Sequence, residues 1–511
     1  MAVDTKASPL VIFGLDAGDG DLIKRWAQEG YLPTISSIMR RGCWGTLTGP
    51  EQITEHGVWI SLLSGISRAQ HGYYHWRPLK PGTYELQLSN FREVDAVPFW
   101  ACLQGSDKRV AIIDAPEVDI VAGLSGVQVA NWAPHNPHFA TCAEPAELLT
   151  DLRRRFGSQR PVEEKVDGSI AQDRKIYRGL LEQIEQKGAL SRYLITPGRF
   201  DLIFVGFSET HIAGHQFWGY RPQAQKPNSA TSENELTHAI RKVYQAIDRQ
   251  IGLLLTELPE RSNVFIVSQV GIQDDYPNLR LLEAFCRQLG YQVPAESAPL
   301  SLRPLALARR IIPEAWRISL SRHLPRQTRE RLLADQFRSS TNWRRTSAFP
   351  IPAFYTGFIR INLRGREPEG IVEPGPEYEA LLDRLEADLK QLVDPQTGEP
   401  AAKRVARTVE LFGGGPPASL PDLFVEWFPT PYFKRRVVHP EAVLVQEELQ
   451  FHRNSHHTHT GFLAAVGPSI HGRGEIGEVP LLNLAPTFLS SLGQPIPEKL
   501  PGKLIEAVAH G

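Results

Sequence analysis

Short apolar runs alternate along the chain with longer stretches that have helical spacing. The runs cover residues 10–15, 110–114, 201–207 and 263–268, and they are rich in Val, Ile, Leu and Phe. Such runs predict strands that are buried on both faces of a sheet. Because the strands alternate with helices, the pattern predicts an α/β fold with a mostly parallel sheet.

A pair of histidines directly follows the third run. In SETHIAGHQFW, His211 and His215 are four residues apart, which places both imidazoles on one face if the segment is helical. Ligand sites of open α/β sheets form at the carboxyl ends of the strands, so the pair predicts a metal site at that edge. A third imidazole is expected from FHRNSHHTHTG, which contains His452, His456, His457 and His459.

Composition narrows the class of protein. The chain has 511 residues, 41% of them hydrophobic, which suits one large α/β domain with insertions or two to three domains. Lys and Arg number 56 and Asp and Glu number 57, which gives a net charge of −1. This balance predicts no bulk electrostatic footprint for nucleic acid or for an anionic membrane.

Cysteine usage and the N-terminal sequence bear on the compartment. Cys43, Cys102, Cys142 and Cys286 are widely spaced, which predicts free thiols rather than a zinc ribbon or a disulfide framework. The sequence MAVDTKASPLVIFGLDAG has no apolar stretch long enough for a signal peptide or a membrane span. We therefore expect a cytoplasmic protein without a membrane span, and the oligomeric state stays open.

Two later regions differ from the alternating pattern. Residues 276–345 are rich in Arg and have helical spacing, which predicts a helical insertion that covers the site. The apolar segment 421–427 is expected to return to the core.

Several stretches together resemble the type I phosphodiesterase/nucleotide pyrophosphatase branch of the alkaline phosphatase superfamily. They run in family order from residue 14 to residue 493. The stretches are GLDAGDGDLIKRWAQEGYLPTISSIMRRGCWGTL, VWISLLSGISRAQHGYY, DLIFVGFSETHIAGHQFW, INLRGREPEGIV, LPDLFVEW, HTHTGFLAAVGPSI and LAPTFLSSLG. The resemblance implies an alkaline-phosphatase-like core at 1–275 and 416–511, with an insertion at about 73–200. It also implies a helical and α+β insertion or cap at 276–415.

The resemblance also implies a site in which two zinc ions about 4 Å apart clamp a phosphoryl group that a Thr or Ser attacks. Asp16 matches the metal-binding Asp that follows the first strand. His211 stands where the family usually has Asp, His215 matches the family His, and His457 ahead of Gly461 matches the C-terminal His. Together these residues imply a three-histidine site with an open position.

The other half of the family site is altered in this sequence. The family has Ser-Asp-His-Gly at the end of a strand, where this chain has Ser268-Gln269-Val270-Gly271. Valine cannot bind a metal and an amide is a poor zinc ligand, so we expect one bound ion rather than two.

The nucleophile position is also altered. Counting back from Trp59 places it on Glu55, whereas the nearest hydroxyl belongs to Thr54. A shift of one residue would make Thr54 the nucleophile, and without it Glu55 would bind metal or act as a base. Both alternatives stay open.

Three further carboxylates are considered as replacements. Glu209 is close in sequence to His211 and would orient an imidazole as a hydrogen-bond partner. Asp274 and Asp275 follow the altered motif, but such loop pairs more often form solvated turns.

These residues predict a metal-dependent hydrolase or transferase that acts on a phosphodiester, a phosphomonoester or a related small anionic ester. The expected cofactor is one Zn²⁺, with Mn²⁺ or Fe²⁺ as alternatives, because three imidazoles suit each of these ions. Two other hypotheses remain: a mononuclear three-histidine enzyme with non-phosphate chemistry, and a metal-binding relative without activity.

Overall fold

The structure is a computed structural model. It describes residues 8–49, 51–53, 56–133, 139–158, 162, 164, 169–196, 199–222, 235–295, 326–413, 418–447 and 453–508.

Strands and helices alternate through the first half of the chain. The strands are β1 (Leu10–Leu15), β2 (Cys43–Thr48), β3 (Arg109–Ile113), β4 (Ser125–Ala130), β5 (Cys142–Glu144), β6 (Leu202–Phe207), β7 (Asn263–Ser268), β8 (Ile272–Asp274), β9 (Ala348–Ile351), β10 (Gly357–Ile361), β11 (Ala402–Arg407), β12 (Leu423–Trp427), β13 (Arg436–His439), β14 (Ala442–Val445), β15 (Ser455–His457), β16 (Thr460–Val466) and β17 (Gly474–Pro480). The helices are α1 (Gly20–Gln28), α2 (Pro33–Arg41), α3 (Val58–Ser64), α4 (Arg68–His71), α5 (Leu148–Phe156), α6 (Ile170–Ile195), α7 (Glu209–Phe217), α8 (Ala239–Leu255), α9 (Leu281–Gln288), α10 (Arg326–Ser339), α11 (Pro376–Lys390), α12 (Thr408–Phe412) and α13 (Leu484–Ser491).

The central sheet of the described chain has nine strands in the order β17-β2-β16-β7-β1-β6-β3-β4-β5. Strand β1 pairs in parallel with β6 and β7, and β3 pairs in parallel with β6 and β4. Strand β16 runs antiparallel to its neighbours β2 and β7. The four apolar runs thus form neighbouring parallel strands, which confirms the predicted α/β class.

Both faces of this sheet are covered. Along β1, Val11 and Phe13 pack into one hydrophobic cluster and Leu10 and Ile12 pack into the other. Side chains of successive strand residues point to opposite faces, so a strand buried on both sides has an uninterrupted apolar sequence.

A second sheet of four strands follows, in the order β11-β12-β10-β9. Residues 421–427 contribute β12 to this sheet rather than to the central sheet. All residues of β12 are buried between β11 and β10, which gives this strand the apolar sequence of a central-sheet strand. Residues 73–200, expected as an insertion, contribute β3, β4 and β5 to the central sheet.

The parallel pairing brings several loop residues to one edge. Asp16, Asp114, Ser208 and Gln269 follow β1, β3, β6 and β7 respectively, so all four lie at the carboxyl edge of the sheet. The antiparallel ribbon of β8 and β15 also lies here, since β8 follows β7 and β15 precedes the reversed strand β16. Within the described part of the chain, no helix is both long and apolar enough to cross a membrane.

Candidate metal centre

Three imidazoles meet at the carboxyl edge of the sheet. Helix α7 begins at Glu209 directly after β6 and carries His211 and His215 one turn apart, with ring centroids 4.7 Å from each other. His457 on β15 completes a triangle, with its ring centroid 4.9 Å from that of His211 and 5.0 Å from that of His215. One ligand atom from each of the three lies within 4.8 Å of the others.

The spacing of these nitrogens fits a small divalent cation. Nitrogen ligands about 2.0–2.1 Å from a tetrahedral zinc ion lie about 3.3–3.4 Å from one another. The Nε2 atoms of His215 and His457 are 3.1 Å apart, close to that separation. Two facing imidazole nitrogens also gain little from each other unless a proton or a metal lies between them.

Two of the three imidazoles are held in their ligand form. Nδ1 of His215 is 3.0 Å from the Ser455 hydroxyl, a contact of the kind that orients the other nitrogen of a metal-binding histidine. Burial lowers the pKa of His215 and of His457 well below the usual range, and the nearby Arg453 and the neighbouring imidazoles lower it further. Both rings are therefore neutral at pH 7 and able to bind a metal.

Asp16 borders the cluster. Its Oδ2 is 3.4 Å from Nδ1 of His211, again a separation typical of two ligands of one ion. Its Oδ1 accepts hydrogen bonds from Nε1 of Trp59 at 2.8 Å and from Nε2 of Gln269 at 2.6 Å. These two donors orient the carboxylate so that Oδ2 faces the imidazoles.

Gln269 and Val270 are not arranged as metal ligands. The amide of Gln269 accepts from the backbone N–H of Ala17 at 3.1 Å and donates to Asp16, so it links the ends of β7 and β1. Both contacts require the same amide orientation. Val270 is buried in the apolar cluster beneath the sheet. The amide N–H thus lies against the carboxylate where the family resemblance implies a second ion.

Thr54 and Glu55 lie outside the described residues. The segments on either side of them are anchored by Arg68, which forms a buried ion pair with Glu51 at 2.9 Å. Arg68 also donates to the carbonyl oxygens of Ile53 at 3.2 Å and His56 at 2.8 Å. The same stretch of chain continues to Trp59, which donates a hydrogen bond to the Asp16 carboxylate.

Glu209 is not a partner of an imidazole. Its carboxylate is fully buried against Lys187, with 3.1 Å between Oε1 and Nζ, and Lys187 also contacts Asp114 at 3.2 Å and the carbonyl oxygen of Gly206 at 3.0 Å. The hypothesis that Glu209 orients His211 is therefore wrong. The first turn of α7 points Glu209 to the side of β6 where Lys187 lies.

The remaining polar candidates lie beside the three-histidine group. Asp274 accepts from Trp218 and Arg221. Asp275 lines a separate polar cavity of about 20 Å³ with Lys403, Glu426, His456 and His459. His452 lies outside the described residues.

Two carboxylates near the centre have no counterpart in the sequence prediction. Glu164 places Oε1 3.7 Å from Nε2 of His211. Glu117 has a left-handed backbone (φ 51°), and its Oε2 is shielded from solvent without a hydrogen-bond partner in the described structure. Burial raises the pKa of Glu117 to about 7. The Asp16 charge raises this pKa further, whereas the charges of His56, Arg68 and His211 lower it. Its position after the apolar run 110–114 was the available signal, the same one that identified Asp16.

A mostly parallel sheet with helices on both faces and a histidine cluster at its carboxyl edge defines an α/β protein of the alkaline phosphatase type. The chain belongs to the type I phosphodiesterase/nucleotide pyrophosphatase family, whose sequence model matches residues 10–406. It is therefore a hydrolase of the alkaline phosphatase superfamily.

A solved structure shows the same fold. Phosphonoacetate hydrolase from Sinorhizobium meliloti 1021 in complex with phosphonoacetate matches at a TM-score of 0.50 and 12% identity, over 95% of each chain. The same enzyme in complex with phosphonoformate matches at a TM-score of 0.49 and 11% identity, over 95% of each chain. No curated protein sequence matches this chain.

Proposed function

We propose that this protein is a metal-dependent phosphoester hydrolase that works with one tightly bound ion. The observation that carries the proposal is the convergence of His211, His215 and His457 at ligand spacing beside the Asp16 carboxylate. Zn²⁺ is the proposed ion, and Mn²⁺ or Fe²⁺ would suit the same donors. The substrate would be a small phosphodiester, phosphomonoester or related anionic ester.

The protein groups have separate tasks in this proposal. A bound ion would polarise the ester oxygen and lower the pKa of a water or hydroxyl beside it. The three imidazoles and Asp16 would hold the ion, and Trp59 and Gln269 would keep the Asp16 carboxylate aligned. Thr54 or Glu55 would supply the nucleophile or the base.

The replacement of two family ligands by Gln269 and Val270 limits the expected rate. Two metal ions stabilise both the attacking and the leaving oxygen of a phosphoryl transfer, and the Gln269 amide carries no charge to replace one of them. We therefore expect weak turnover of a generic substrate such as a bis-nitrophenyl phosphate.

A metal-binding relative without activity is the second candidate, because the Gln269 amide lies against the Asp16 carboxylate. A three-histidine enzyme with non-phosphate chemistry would use the same centre.

The four cysteines are unpaired in the structure, which supports our proposal of a reducing, cytoplasmic location.

Elemental analysis of the purified, dialysed protein tests the proposal. We expect one equivalent of metal in the wild type, its loss in His457→Ala, and its retention in the matched control His456→Ala. His456 is the neighbouring residue of the same ribbon, but its ring stacks on Tyr355 at 4.0 Å and is not part of the three-histidine group. Equal metal content in the two variants would contradict the site.

Activity measurements separate the candidates. Weak hydrolysis of a bis-nitrophenyl phosphate that a chelator abolishes supports the proposal. Turnover near the enzyme median of about 10 per second would show that replacement ligands hold a second ion. One equivalent of metal without hydrolysis of any phosphoester would favour the other candidates.

A further inference from the structure

An arginine stands next to the three-histidine group. Arg453 precedes β15, the strand that carries His457, and its side chain is 36% exposed. Its guanidinium forms an ion pair with Glu164, whose Oε1 is 3.7 Å from Nε2 of His211, so the guanidinium lies beside the centre. It is thus a cation that solvent can reach at the proposed metal site.

A carboxylate lies between this cation and the imidazoles. Glu164 forms an ion pair with Nη2 of Arg453, and its Oε1 is 3.7 Å from Nε2 of His211. The side chain of Glu164 is only 9% exposed, although its partner Arg453 is open to solvent. The protein itself therefore supplies an anion at the place where Arg453 and the centre meet.

A phosphoryl group has the chemistry to take that place. A guanidinium presents its N–H groups as a planar fork, and this fork binds two oxygens of a carboxylate or of a phosphate in the same way. Exchanging one anion for another beside Arg453 keeps the guanidinium paired. Removing the anion without replacement would leave the guanidinium unpaired, which costs free energy.

We propose that Arg453 binds the phosphoryl oxygens of the substrate and that Glu164 holds that position in the free protein. This assignment rests on the proposed phosphoester chemistry of the centre and adds to it a residue for substrate binding. Substrate binding then requires the Glu164 carboxylate to be displaced from Arg453. Glu164 therefore lowers the affinity for the anion, and Arg453 raises it.

Inorganic phosphate is the probe, and calorimetric titration measures its affinity in metal-loaded and in metal-free protein. We expect Arg453→Gln to weaken phosphate binding roughly tenfold to a hundredfold, since a charge-assisted hydrogen bond is lost. Arg453→Lys keeps the charge but not the planar fork and should lie between that variant and the wild type. Glu164→Gln should tighten binding several-fold because the competing charge is gone.

An ion pair far from the centre in the sequence provides the control. Arg344 and Glu369 are 2.6 Å apart with exposed side chains, so Arg344→Gln and Glu369→Gln should leave the phosphate affinity unchanged. Metal content is measured on every sample. We expect it to be the same in all variants, because neither Arg453 nor Glu164 binds the metal in this proposal.

Three outcomes would overturn the inference. Unchanged phosphate affinity in Arg453→Gln would remove Arg453 from the binding site. Loss of metal in Glu164→Gln would make Glu164 a metal ligand, and weaker phosphate binding in that variant would also contradict its role as a competitor. Failure of the proposed function has a different signature: the wild type would take up no metal, while the difference between the Arg453 variants would still be measurable in metal-free protein.

Discussion

Lys187 is expected to position the helix that carries two of the three histidines. Its ammonium is fully buried and lies 3.1 Å from Glu209, the first residue of α7, and 3.2 Å from Asp114 at the end of β3. It also donates to the carbonyl oxygen of Gly206 at the end of β6. Burial opposes its charge, but Glu209 and Asp114 outweigh this and keep the pKa of Lys187 above its usual value.

Lys187→Met leaves two buried carboxylates without their cation. Breaking a buried pair by removing one partner costs about 3–5 kcal/mol, because the remaining charge has neither water nor a counter-ion. The side chains of the partners Glu209 and Asp114 are 0% and 2% exposed, so the cost given for a buried pair applies here. We expect a loss of about that size, and metal affinity should also fall because the start of α7 is released.

Urea unfolding of metal-free protein measures the first effect, and a chelator competition measures the second. Lys108→Met is the matched control, since Lys108 pairs with Asp201 at 3.4 Å but both side chains are partly exposed, at 20% and 34%. Exposed pairs contribute about 0–1 kcal/mol, and the control should keep its metal affinity. Lys187→Met/Glu209→Gln should recover part of the stability because one uncompensated charge is removed.

A loss of unfolding free energy in Lys187→Met no larger than that in Lys108→Met would refute a buried, uncompensated charge at Glu209 and Asp114. Unchanged metal affinity in a clearly destabilised Lys187→Met would restrict Lys187 to stability and remove its positioning role.

Three further predictions concern Thr54 and Glu55, the lost ligands at 269 and 270, and Glu117. We expect one of Thr54→Ala and Glu55→Gln to abolish hydrolysis. Loss of metal in Glu55→Gln would identify Glu55 as a metal ligand, and full activity in both variants would show that residues 54 and 55 are structural. Gln269→Asp combined with Val270→His should bind a second equivalent of metal by elemental analysis, and an unchanged metal content would contradict our account of the lost ligands. The pKa of Glu117 is raised from its ordinary 4.5 to about 7, so its proton favours the folded state below pH 4.5 and this stability is lost as the pH rises through 7. In urea unfolding of metal-free protein, this group should lower the unfolding free energy by up to about 3 kcal/mol between pH 4.5 and pH 7. Glu117→Gln should not show this pH dependence, and an unchanged pH dependence in that variant would contradict the prediction.

Local sequence was informative where a short segment carries its own physical signal. The uninterrupted apolar runs predicted the four parallel strands because burial on both faces leaves no polar position in a strand. The spacing of His211 and His215 placed both on one face of a helix because the helical period is 3.6 residues. Segment 421–427 shows the limit of this signal, since a strand buried in the second sheet has the same composition as one buried in the first.

The amino-acid sequence by itself determined the α/β class, the family resemblance and the replacement of the family's Asp and His by Gln269 and Val270. The family resemblance named His457 as the third imidazole, but only the tertiary structure brings it beside the pair, decides which partner Glu209 takes, and places Glu117 and Glu164 near the centre. These contacts join residues far apart in the chain, such as His215 with His457 and Asp16 with Gln269. Such pairings depend on strand order and loop path, which arise from packing of the whole sheet rather than from any local pattern.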